Sequence, residues 1–251
     1  MVDPGLPLSA VVVLLTVVAA TAVSLAGLPL RRDVVVAAVR AVLQLAAVSA
    51  VILAVLRSPL WTAAFLLVMY AVAAHTAARR VDVPGGWRWT CLPLAAGVVP
   101  VVAVVAATGV VPWRPESVLP TVGILLGGTM TATSLAARRM LEELRSRAGE
   151  YEAALSLGLR PRDAALEIAR PAAGLALVPG LDQTRTVGLV TLPGAFIGVL
   201  LGGGTPAEAG AAQLLVLVGL LAAQSLAVLT TILLVADRRL LSPAAAQALP
   251  L

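Results

Sequence analysis

Residues 8–28 read LSAVVVLLTVVAATAVSLAGL, twenty-one consecutive positions without a charge. A helix rises about 1.5 Å per residue and a bilayer's hydrocarbon core is about 30 Å thick, so a run of this length crosses it once. Outward from this run, six further apolar segments of similar length follow: Val34 to Leu56, Leu60 to Ala78, Thr90 to Val111, Val118 to Ala136, Pro171 to Leu201 and Ala209 to Ala236. Hydrophobic residues make up 60% of the 251 and charged ones 12%, about half the charged share of a soluble domain. The expected fold is all-α, a polytopic transmembrane bundle of seven spans in one membrane domain. Asp3 is the only charge before the first run, so that run reads as a retained span rather than a cleaved signal.

Every one of the 18 basic residues is arginine. One alternate set of loops, with the C-terminus, holds Arg31, Arg32, Arg79, Arg80, Arg88, Arg138, Arg139, Arg145, Arg147, Arg160, Arg162, Arg170, Arg238 and Arg239, whereas the other set holds Arg57 and Arg114. Basic residues concentrate in cytoplasmic loops, so the arginine-rich set is expected inside the cytoplasmic membrane and the N-terminus outside. Trp61, Trp87, Trp89 and Trp113 stand beside span ends, where amphipathic rings favour the headgroup region. The formal charge of +5 is thus topological, with lipid as the partner and no nucleic acid expected. A lone Cys91 and a lone His75 supply neither a disulfide framework nor a one-chain metal cluster. His75, near the inner end of the third span, is expected to pack or sit at the interface.

The longest polar break, residues 137–170, is rich in helix formers and falls on the inner side. Within it stand Glu152, Ala153 and Ala154, three residues, Gly158, nine residues, then Ile168 and Pro171. This pattern resembles the EAA loop of ABC-transporter permeases, with Arg170 where Leu is usual. The resemblance implies a cytoplasmic coupling helix between spans five and six that docks on a nucleotide-binding subunit, with Glu152, Ala153, Ala154, Gly158, Arg160 and Arg162 as coupling residues. Tyr151, Ala154, Leu155, Ala164, Ala165 and Ile168 offer apolar contacts within a charged rim, the surface expected of a helix that docks in a groove.

Three more blocks resemble the FetB/YbbM family of ABC permeases, which includes iron-export components and plant aluminium-tolerance relatives. They are RAVLQLAAVSAVILAVL from Arg40, GILLGGTMTATSLAARRM from Gly123 and TVGLVTLPGAFIGVLLGGGTPAEAGAAQLLVLVG from Thr186. The implied function is an exporter's permease subunit, moving a metal ion such as iron, as a homodimer with two ATPase subunits. A Walker A loop needs lysine to reach the phosphates, and this chain contains none. No cofactor is therefore expected on this chain, and ATP with Mg on the partner ATPase.

Polar residues within spans are costly and often functional. Asp182 and Arg185, three residues apart on the expected sixth span, can pair just beyond Pro179 and Gly180, where the helix is expected to kink. A structural ion pair and a transport role stand equally there. Thr129, Met130 and Thr131, with Thr133 and Ser134 nearby, and Gln183 and Gln213 are the other candidate pathway residues; hydroxyls in helices also commonly bond to their own preceding turn. Arg40 and Gln44 lie one turn apart on the second span, where Arg40 is expected to snorkel to the headgroups. Gly194, Gly198 and Gly202 repeat every four residues, as do Gly123 and Gly127, and mark expected close helix approaches within the chain or across a dimer. The metal ligands stay unassigned. The competing reading is a secondary transporter, which would use intramembrane carboxylates and internal repeats; only Asp182 lies deep enough, and no convincing repeat is visible. A membrane enzyme would need a catalytic cluster, and none assembles.

Overall fold

A computed structural model describes residues 5–83 and 86–241. Seven segments among them are long and apolar enough to cross a membrane. Apart from a 3-10 turn and one isolated bridge, Val187 to Thr191, the described elements are α-helices. The chain is therefore an all-α, multi-pass membrane protein.

The helices fall into two compact units, Met1–Trp61 and Thr62–Leu251. The first holds α1 (Leu6–Leu25) and α2 (Arg31–Leu56), which pack on each other. The chain reverses between them at Gly27, whose φ of +69° suits a residue without a β-carbon. Nearly all their valines and leucines face outward, which is tolerable only where the solvent is itself apolar.

The second unit holds the body of α3 (Pro59–Val81), then α4 (Trp87–Thr108), α5 (Pro115–Ser146), α6 (Ala148–Ser156), α7 (Pro161–Gly174), α8 (Val178–Thr186), α9 (Gly194–Leu201) and α10 (Pro206–Ala236). Its centre is formed by α10 against α5 and α4. Small residues let these helices close up. A β-carbon on Gly97 of α4 would lie 2.5 Å from the Ala223 carbonyl oxygen of α10 and 2.8 Å from Cγ2 of Thr129 on α5. The start of α10 is fixed by a capping box: the Thr205 hydroxyl accepts from the Glu208 N–H at 3.3 Å, and Glu208 Oε2 accepts from the Thr205 N–H at 2.7 Å.

The sixth span departs from expectation. The apolar run Pro171 to Leu201 is not one helix: the crossing segment is Pro161–Thr186, formed by α7, a 3-10 turn at Leu175–Leu177, and α8. The kink expected near Pro179 takes the form of that turn, since proline has no N–H to return to the Leu175 carbonyl. Beyond Thr186 the chain leaves the helix through Gly188, at φ +81°, and Pro193, then forms the short α9. Asp182 and Arg185 consequently occupy the end of the span, not its interior.

Candidate functional site

The segment after α5 folds back on its own helix bundle before it turns outward. Arg147 starts α6 with a hydrogen-bonded ion pair to Glu150, a second pair to Glu143 at 3.3 Å, and a hydrogen bond to the Ile168 carbonyl at 3.4 Å. The Arg147 guanidinium beside it holds the Glu150 carboxyl below the usual carboxylate range, and Arg147 is raised chiefly by that same hydrogen bond. Tyr151 is 1% exposed, in one cluster with Met140 and Leu144 of α5, Ala164, Ala165 and Ile168 of α7, and Leu234 and Val235 of α10.

This corrects the expected docking face. Tyr151, Ala164, Ala165 and Ile168 are spent on the chain's own core, and Ala154 and Leu155 are half-buried against it. What faces outward is the turn itself: Glu152, Ala153, Ser156, Leu157, Gly158, Leu159, Arg160 and Arg162. Leu157 is 83% exposed and Gly158 has φ +91°, so the turn projects a bare leucine on a backbone conformation that favours glycine. Arg160 pairs with Asp163 at 2.7 Å, which raises the guanidinium and leaves the local charge nearly balanced. Arg162 reaches Asp237, just past α10, at 3.1 Å, and Arg239 lies over the Trp89 ring of α4 at 4.8 Å. Sequence reading missed both ties, because neither partner is close in the chain.

The residues expected along a pathway are not gathered in one place. Asp182 and Arg185 pair at 3.5 Å with side chains 61% and 72% exposed, and Gln183 beside them is exposed as well. Thr129 is buried and donates to the Leu125 carbonyl at 2.8 Å, while the more exposed Thr131 donates to Gly127 at 3.0 Å. Met130 is half-buried beside Ala73, Ala74 and Leu94. Gln213 is buried on α10 with its Oε1 unpartnered, and Gln224, a residue the sequence reading passed over, is the same. Among the described residues, nothing lies within 4 Å of where a β-carbon on Gly194 or Gly198 of α9 would stand, so the expected close approach does not occur among them; Gly202 would meet only α9's own carbonyls, at 3.3 and 3.4 Å. A β-carbon on Gly123 would stand 3.1 Å from Met69 Cε of α3, whereas one on Gly127 would meet nothing within 4 Å among the described residues. His75 is exposed on the rim of a cleft with Arg79, Asp82 and Trp87. Among the described residues no group of three or more His, Cys, Asp or Glu could hold a metal ion.

Comparison with known proteins finds a match to the model of an uncharacterised protein family, UPF0014, over residues 7–240. The UPF0014 membrane protein STAR2 of Oryza sativa subsp. japonica is 34% identical over 230 residues, 86% of this chain and 81% of that protein. Protein ALUMINUM SENSITIVE 3 of Arabidopsis thaliana is 34% identical over 62% of this chain and 58% of its own length. The probable iron export permease protein FetB of Escherichia coli (strain K12) is 33% identical over 49% of this chain and 48% of its own length. No solved structure matches.

Proposed function

As the chain belongs to the UPF0014 family, we propose that it is the membrane permease subunit of an ATP-driven exporter whose cargo is a metal ion. The observation that carries this is the turn at Leu157 and Gly158: an exposed apolar tip on a base locked into three helices. A tip of this kind fits a groove on a partner, and its rigid base passes the partner's movement on rather than absorbing it. The chain's lack of lysine supports ATP hydrolysis on a separate cytoplasmic ABC ATPase subunit. The relative named as an iron export permease supports iron as the cargo.

In this reading the arginine-rich loops lie in the cytoplasm and the N-terminus outside. Two permease copies pair, the open glycine face of α9 being one candidate seam. ATP-driven closure of the ATPase subunits pushes on residues 152–162. The push reaches α7 through its continuous chain, α5 and α10 through the Tyr151 cluster, and α8 across the 3-10 turn at Leu175–Leu177. The test is reconstitution with a candidate ABC ATPase in vesicles, with ATP hydrolysis and ferrous-ion movement as readouts. Wild type is expected to couple the two, and L157R to break the coupling without unfolding the permease. Wild type that neither binds the ATPase nor moves iron would reject the reading.

A further inference from the structure

Among the described residues, three side-chain oxygens buried within the spans have no hydrogen-bond partner: Oγ1 of Thr133 on α5, and Oε1 of Gln213 and of Gln224 on α10. Buried polar groups are ordinarily paired, the more so inside lipid, where no water stands by. Four other hydroxyls of α5 show the usual solution: Thr121, Thr129, Thr131 and Ser134 each donate to the carbonyl four residues earlier, at 2.7 to 3.0 Å. The glutamines have no such local outlet for a carbonyl oxygen.

Gln213 and Gln224 are eleven residues apart, about three turns, so they share one face of α10 and lie about 16 Å apart along it. Gln224 is held between two glycines of neighbouring helices. A methyl group on Gly180 of α8 would strike its Oε1, and one on Gly128 of α5 would lie 3.1 Å from its Nε2. Each neighbour thus lacks a side chain where the amide passes. Gly180 directly follows Pro179, which interrupts the helix just beyond the 3-10 turn at Leu175–Leu177, so a swing of α8 about that point would uncover the Gln224 oxygen. Thr133 lies about 140° around α5 from Gly128, on another face, and does not belong to this group.

We propose that Gln213 and Gln224 form a ladder of neutral oxygens on one face of α10 along which the cargo cation passes, with Gln224, between Gly180 of α8 and Gly128 of α5, as the closed gate in this conformation. This rests on the exporter reading and deepens it. An amide oxygen replaces part of a cation's hydration shell, yet with no carboxylate beside it holds the ion weakly enough for release.

The test uses the permease with its ATPase in vesicles and ferrous ion as the probe, comparing wild type with Q224M, Q213M and Q224E. Methionine matches the length of glutamine without its oxygen. Q224M and Q213M are expected to keep assembly and ATP hydrolysis but to lose iron movement about ten-fold or more, and Q224E to lower both the KM for iron and the maximal rate. A purely structural glutamine would not alter KM. Methionine variants that move iron within about two-fold of wild type would overturn the ladder while leaving the exporter reading intact. Should Q224M not fold, Q213M decides. Wild type that moves no iron would overturn the exporter reading itself.

Discussion

Gly97 stands where α4, α5 and α10 converge, and the 2.5 Å that would separate its β-carbon from the Ala223 carbonyl leaves backbone, not a flexible tip, as the obstacle. Gly97→Ala should therefore cost about 1–3 kcal/mol in detergent unfolding, the usual range for overpacking. Gly127 is the control: nothing lies within 4 Å of its would-be β-carbon, so Gly127→Ala should stay within about 0.5 kcal/mol of wild type. If the two variants melt alike, the three-helix packing described above is wrong. At the other extreme of exposure, the Glu150 carboxyl is held low by Arg147. Its folded value lies below the unfolded one, so the pair's contribution is present at neutral pH and is lost as pH falls through the folded value. An NMR titration of Glu150 should give a midpoint below that of an unpaired glutamate, moving up in Arg147→Ala; an unmoved midpoint would discard Arg147 as the cause.

Among the elements, the segment from α6 to α7 was partly legible in the sequence. The spacing of Glu152, Gly158, Ile168 and Pro171 located the turn, but Tyr151, Ala164, Ala165 and Ile168, expected as apolar anchors for a partner, are buried in the chain's own core. An amphipathic helix needs an apolar surface whether it packs on its own chain or on another, and the letters alone do not say which. Tyr151 shows the outcome: it is nearly sealed by α5, α7 and α10. Tyr151→Ala should cost about 3 kcal/mol or more, as large-to-small core changes do, and should loosen ATPase coupling along with stability. Arg162 and Asp237, 50% and 39% exposed, form a tie worth little in stability, about 0–1 kcal/mol. Under the proposed function its effect lies in force transmission, so Arg162→Asp should lower ATP-coupled transport with little change in melting, and the added Asp237→Arg should restore it. No rescue in the reversed pair would remove the tie from the coupling path. The sixth span was misread because hydropathy stays high through Gly188 and Pro193, and those two breakers were outweighed. Gln224 was missed because an orphan oxygen is a fact of three dimensions, invisible in the run AAQSLAVL from Ala222.

For the whole molecule, apolar length and arginine placement were enough for seven spans, since lipid leaves the backbone few options. The proposed orientation puts Trp113 outside and the turn at Leu157 inside. In intact cells, an impermeant thiol reagent should label W113C and spare L157C, with C91A as background; the reverse labelling would invert the topology. The proposed complex seats an ABC ATPase on this turn. A photo-cross-linker placed at residue 157 of the full chain, in membranes that also hold the ATPase, tests that seat. The expected product joins the permease to the ATPase and changes in yield when ATP is added. Cross-links to lipid or to a second permease copy alone, with the ATPase present and active, would contradict it.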